Sequence, residues 1–324
     1  ITVPPVTQKA RDFKARYDAQ TPLAAVVHCS CLVHARTPQK ILSTMVDLAD
    51  TALSSARRRR LSAWQAYARR QGSQEELPDL GGRVWIYEEL YEAVAERLGH
   101  AVLTQELQER AFGYVSEAQD LLDSLSPPEQ DFLIDHGQLI GLDSRERSLV
   151  IVRTLVDIAG REGVYDTKEP IIVVYFAPPY FPPVRGDATS PLNQAIAAEV
   201  ESGSYKDYGD IRFRGFYPYV SEMSYLRVDD AVYESLPTLK ANFPLWRDPD
   251  DEVAEDVRSQ IFTVPFDAIR DLDCDVTNIG PWGKEAHGEG ERVHTAYSFE
   301  TVPQLIHNVI LRLLEDSMTS ATVR

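Results

Sequence analysis

Four prolines (Pro178, Pro179, Pro182 and Pro183) fall within the seven residues from Ala177 to Pro183. Each locks its own φ and removes a backbone donor, and each biases the residue before it away from helix. Neither a helix nor a central strand runs through such a stretch, so the chain is divided here. Upstream, apolar residues recur at helical spacing from Tyr87 to Arg161. Downstream, short apolar runs alternate with helical ones, the pattern of an α/β layer with a parallel or mixed sheet. The division predicts two domains, residues 1–177 and residues 178–324, and 324 residues suffice for two cores.

The charge balance limits what such a protein binds. With a formal net charge of −17, the chain lacks the basic surface that phosphate backbones require, so nucleic acid is not expected as a partner. The basic run Arg57 to Arg60 reads as a solvated helix face. No apolar run reaches the ~18 residues needed to span a membrane, and no charged-then-apolar leader is present. Three cysteines, Cys29, Cys31 and Cys274, show no framework spacing. They are expected to be reduced thiols in a cytoplasmic protein. A zinc site at His28, Cys29 and Cys31 is disfavoured, because in a strand His28 points away from both cysteines. The chain opens on Ile1 rather than Met, as expected of a processed product or a piece of something longer.

Along the chain, Leu23 to Val33 reads as a buried strand. Thr37-Pro38 then caps and starts a helix with an apolar stripe at Ile41, Met45, Leu48 and Leu53, running to about Tyr67. Gln71 to Gly82 reads as a loop. Helical segments are expected near 87–98, 102–124, 127–137 and 144–160, followed by a buried strand at Ile171 to Phe176. Beyond the prolines the pattern predicts helices at 191–202, 265–271 and 301–316, a short helix near 221–227, a helix or loop at 229–239, and strands at 211–217 and 274–279. Ser221 suits a helix N-cap. Glu75-Glu76 and Glu88-Glu89 read as solvated pairs.

The candidate site lies near the end of the chain. Asn278-Ile279-Gly280-Pro281-Trp282-Gly283-Lys284-Glu285-Ala286-His287 is followed by Glu291-Arg292-Val293. Gly280 and Gly283 permit close approach of the backbone. The imidazole of His287 can ligate a metal or transfer a proton; the alternative is a hydrogen-bonded surface histidine. Lys284 reads as a solvated charge or a substrate contact, and Glu285 or Glu291 as an orienting partner for His287. His294 and His307 carry no supporting pattern.

This stretch resembles the C-terminal signature of the co-catalytic zinc metallohydrolases of the aminoacylase/carboxypeptidase type, in particular their RocB-like arginine-utilisation branch. Further matches occur in the same order. They are Thr2-Val3-Pro4-Pro5 with Arg11-Asp12-Phe13-Lys14, Tyr87-Glu88-Glu89-Leu90-Tyr91, Phe176-Ala177-Pro178-Pro179-Tyr180, Ser221-Glu222-Met223-Ser224-Tyr225-Leu226, and Tyr297-Ser298-Phe299. The resemblance implies a phosphorylase/hydrolase-like zinc-peptidase catalytic domain, of which residues 178–324 are the C-terminal part. Residues 1–177 are then the second part of an inserted α+β lid, expected to form a homodimer.

By the same resemblance His287 is the last zinc ligand, and Gly280, Gly283 and Ser221 line the pocket for a small amino-acid-derived or peptide substrate. The family's His-x-Asp motif and catalytic Glu-Glu pair have no counterpart at the expected places, so one or two zinc ions would be completed by residues outside this chain. Glu222 stands where relatives have Asp, and His28 where many have Asn or Arg. The implied activity is hydrolysis of an amide or peptide-like C–N bond. A non-catalytic dimerising scaffold or a binding module stays open beside it.

Overall fold

A computed structural model describes residues 24–31, 36–72, 81–110, 126, 144–185, 187, 189–202, 216–217, 226–244, 246, 263–272, 274–286 and 288–322. The described elements are mixed and helix-rich, with three two-stranded sheets. By contacts the chain separates into two compact units, with the change falling between Tyr180 and Phe181. Residues 234–244 return to the first unit.

In the first unit, α1 (Pro38–Gln71) starts as its cap residues dictate: Thr37 Oγ1 accepts from the Lys40 N–H at 3.3 Å. It ends at Gly72, whose φ of 63° favours glycine. Of the expected stripe only Leu53 is buried. Leu42 is the other buried leucine, and Leu48 is 57% exposed. The long, highly charged helix presents a narrower apolar seam than its leucines suggest. Arg57 is not a free solvated cation: its Nη2 donates to Gly82 O at 2.6 Å. That bond ties α1 to the entrance of β1 (Arg83–Ile86).

Strand β1 was not visible as a separate element, because a four-residue run carries too little pattern. It pairs in parallel with β2 (Ile171–Val174), Trp85 opposite Val173. A parallel pair needs a long crossover, here made by α2 (Tyr87–Leu98), a helical stretch at 100–110 and α3 (Ser144–Arg161). Leu90 and Val94 on α2 meet Ile151, Leu155 and Ile158 on α3, all at i, i+4 or i+7 spacing. This is the main core, with Leu90, Val94, Leu103 and Leu155 fully buried. The expected helix at 127–137 lies outside the described residues.

The expected buried strand at Leu23 to Val33 is not formed where it is described. Residues 24–31 are exposed or half-buried, carry one isolated bridge at His28, and leave Val27 55% exposed. An apolar run makes a strand only where a partner edge receives its hydrogen bonds. Glu88 likewise departs from the solvated reading, since its carboxylate accepts from Asn242 Nδ2 at 3.0 Å. Asn242 follows α6 (Leu236–Ala241), which also meets α1 through Thr238 Oγ1 donating to Gln39 Oε1 at 2.8 Å.

Tyr175 and Tyr180 flank the start of the proline run, and the Pro178–Pro179 bond is cis. Neither phenol has a hydrogen-bond partner among the described residues. Burial pushes the Tyr175 hydroxyl up to about 12, with the Arg153 guanidinium opposing. Burial also pushes Tyr180 up. An unfolded phenol ionises near 10. Between pH ~10 and ~12 the unfolded chain therefore sheds protons that the folded chain holds, and stability falls across that window by up to ~3 kcal/mol. Urea midpoints at about pH 9 and about pH 11 check this: wild type is expected to lose more stability than Tyr175→Phe.

In the second unit, β3 (Val184–Arg185) pairs antiparallel with β4 (Phe216–Tyr217). Ser190 caps α4 (Pro191–Glu201), accepting from the Asn193 N–H at 3.2 Å. Ala195 and Ile196 of α4 pack on Leu305 and Val309 of the C-terminal helix α8 (Val302–Thr322). Buried Glu199 receives Asn308 Nδ2 at 2.8 Å and Arg312 Nε at 2.7 Å. Between them lie α5 (Asp230–Glu234), at the edge of the unit, and α7 (Phe266–Leu272). Tyr233 OH donates to Phe266 O at 3.2 Å, under the Arg270 guanidinium. The expected strand at 274–279 forms no ladder; of 211–217, only Phe216–Tyr217 is described, and it is strand.

Candidate functional site

The Gly-Pro-Trp-Gly stretch forms a small hairpin. Strands β5 (Gly283–Lys284) and β6 (Arg292–Val293) pair antiparallel, Gly283 opposite Val293 and Lys284 opposite Arg292. Residues 285–286 and 288–291 belong to the connecting turn. Glu285 enters it at φ 56°, the left-handed region. Within the turn Gly288 N–H donates to Glu285 O at 2.8 Å, and Glu291 N–H to Gly288 O at 3.1 Å.

The two proposed site glycines behave differently. A Cβ on Gly283 would collide with the Arg292 carbonyl oxygen across the ladder. Its bare Cα is thus required by the hairpin itself. A Cβ on Gly280 would meet only Asn278 Oδ1, at an ordinary 3.6 Å. Neither space nor a positive φ demands glycine at position 280. His287 and Ser221 both lie outside the described residues. Lys284 is exposed beside Arg292.

Glu285 was a candidate partner for His287. Its Oε1 receives Arg292 Nη1 at 2.9 Å, and the same nitrogen donates to Gly290 O at 2.8 Å. The pair is more than half exposed on both sides, so it orders the turn more than it stabilises the fold. Glu291 is exposed.

Sequence reasoning passed over the residues at the open end of the hairpin. Trp282 and His294 continue the register: His294 N–H donates to Trp282 O at 2.8 Å. Their rings stack at 5.1 Å and 23°, and Tyr297 meets Trp282 edge-on at 6.4 Å and 90°. His294 Nδ1 accepts from the Tyr297 N–H at 3.2 Å, the geometry of a helix N-cap. Burial pushes the Tyr297 hydroxyl up. The available signal was positional: positions 282 and 294 are cross-strand neighbours once the 283–293 pairing is known. Histidine is not a favoured cap, so local preference did not single it out.

Among the described residues no group of three or more His, Cys, Asp or Glu side chains stands close enough to hold a metal ion. They do not by themselves furnish a zinc donor set. The cysteines are free, Cys29 and Cys31 exposed and Cys274 half-buried. No helix among the described residues is long and apolar enough to cross a membrane.

Fold and hairpin together describe a helix-rich protein of mixed α/β type that ends in a hairpin-to-helix junction. Similarity over the full length relates it to RocB-like proteins. The chain is 22% identical over 328 residues to Protein RocB of Bacillus subtilis (strain 168), an alignment taking in 100% of this chain and 50% of that protein. It is 24% identical over 322 residues to the uncharacterized protein YqjN of the same organism, covering 98% of this chain and 49% of YqjN. The chain therefore spans about half the length of the curated relatives it matches. No family model matches, and no solved structure matches.

Proposed function

We propose that this chain is part of a RocB-like metal-dependent hydrolase. The proposed reaction is cleavage of an amide or peptide-like C–N bond in a small amino-acid-derived substrate, in a role linked to arginine utilisation. One observation carries the reading: the similarity to RocB runs over the whole chain, so it takes in the lid-like first unit as well as the hairpin. In this reading His287 is one zinc ligand, and the remaining ligands belong to the part of the relatives' length that this chain does not span. Zinc supplies Lewis-acid polarisation in hydrolases of this class. The chain's own contribution is His287 itself and the backbone from Gly280 to Gly283, offered to the substrate. Free cysteines support a reducing, cytoplasmic setting. A homodimer through residues 1–177 now rests on the resemblance alone, since the strand expected to mediate it is not formed in residues 24–31.

The test uses the full-length protein that contains this chain. Zinc by elemental analysis and release of free amine from N-acyl amino acids and arginine-derived amides are measured before and after chelation. Co-purifying zinc, with activity lost on chelation and restored by zinc, is the expected result. A protein with neither zinc nor amine release overturns the hydrolase reading and leaves the scaffold.

A further inference from the structure

We propose that His294 is a positioning residue, a clip whose single side chain fastens the 283–293 hairpin to the first turn of the C-terminal helix and so places the 285–291 turn. A two-stranded ribbon this short is not stable on its own in water. Both of its strands are exposed, so its position must be set from its ends. At the open end one residue does both jobs. Through its backbone N–H, His294 closes the ladder on Trp282 O at 2.8 Å. Through its backbone oxygen it accepts the Ser298 N–H at 2.9 Å. Its ring lies on Trp282, and its Nδ1 caps the Tyr297 N–H. An Nδ1 that accepts is unprotonated, which puts the ring proton on Nε2.

No spare residue separates ladder from helix. The junction is reinforced from below, because buried Tyr297 stands edge-on to Trp282. The helix then opens with a π turn, Tyr297–Thr301, closed by the Val302 N–H on Tyr297 O. Such turns gather at functional sites. Here the turn lets Tyr297 point inward while Phe299 stays 70% exposed.

The functional half of this inference rests on the hydrolase reading, in which the turn carries His287. A displacement of ~1 Å in a reacting constellation costs about 100-fold in rate. A clip seven positions from the ligand therefore matters to turnover without touching substrate.

The experiment compares His294→Ala, His294→Asn and His294→Phe in the full-length protein by hydrogen exchange of hairpin amides and by steady-state kinetics. A lost cap corresponds to about fivefold faster exchange, and that is the expected effect of His294→Ala on residues 283–293. His294→Asn, whose side-chain oxygen accepts the same N–H, is expected to restore exchange to within about twofold of wild type. His294→Phe keeps the ring and loses the acceptor, so it should exchange faster than the Asn variant. Unchanged hairpin exchange in His294→Ala, or an Asn variant no slower than Ala, overturns the clip. Should His294→Ala fail to fold by circular dichroism, the Asn and Phe variants decide on the same criterion. In the kinetic arm, kcat falls in Ala and recovers in Asn while KM stays near wild type; wild-type kcat in Ala overturns the positioning role. An inactive wild-type protein defeats the hydrolase reading only, and the exchange data still judge the clip.

Discussion

Replacing His287 with alanine in the full-length protein is expected to lower zinc affinity by at least about 100-fold, since even loss of an orienting partner costs 10–100-fold. Hydrolysis should fall to background. In the proposed reading the substitution removes a zinc donor. The hairpin around it is held by Gly283 facing Arg292, by the Glu285–Arg292 pair, and by the junction at Trp282 and His294. Hairpin exchange should therefore stay near wild type while metal content drops. This is the reverse of the pattern expected for His294→Ala, where the turn loosens first. Elemental analysis of the purified variant is the measurement. Unchanged zinc content removes His287 from the ligand set.

The second large effect is expected far from the hairpin, at Asn242. This residue is completely buried. Its Oδ1 accepts the Glu88 N–H at 3.1 Å, and its Nδ2 donates to Glu88 Oε2 and to Thr238 O, each at 3.0 Å. Its own carbonyl receives the Phe176 N–H at 2.8 Å. The side chain thus joins the start of α2 to the end of α6, and the backbone of the same residue holds the chain leaving β2. Asn242→Ala strands the Glu88 N–H and one Glu88 carboxylate oxygen, while Thr238 O keeps the backbone N–H of residue 242 at 3.3 Å. A buried group left without its partner costs ~1–3 kcal/mol, more beside a charge. The loss should come to about 3 kcal/mol, reduced where water can enter. Thermal unfolding of wild type against Asn242→Ala measures it. A change below about 1 kcal/mol would mean that the network relaxes around the missing amide. Asn242→Asp should also destabilise, since it sets a second carboxylate against Glu88.

Helices with strong local signals were legible in the sequence. Thr37-Pro38 and Ser190-Pro191 each put a hydroxyl cap before a proline that suits the first turn, and both helices begin there. The helical region ended ahead of Pro170, and β2 lay between it and the proline run. In the candidate site, the two glycines and the turn were visible. The hairpin was not, because each strand is two residues long and its pairing depends on residues across the turn.

Other features depended on contacts that no local pattern records. Leu23 to Val33 had strand composition, yet residues 24–31 hold one bridge, because a ladder requires a partner edge as well as apolar side chains. Arg57 looked like part of a solvated run until Gly82 O came within reach. Glu88 looked solvated until residues 234–244 turned back onto the first unit and brought Asn242 against it. No local pattern paired Glu285 with Arg292, which the cross-strand register set beside it.

By itself, then, the sequence determined where the capped helices start and where the helical region gives way to β2 and the proline run. Those outcomes follow from φ restriction, capping and periodicity, which act over a few residues. Only the tertiary structure decided which polar side chains are committed to one another, and it made His294 the joint between hairpin and helix. Such pairings join residues far apart in the chain, and their energies exist only once packing has removed water from between them.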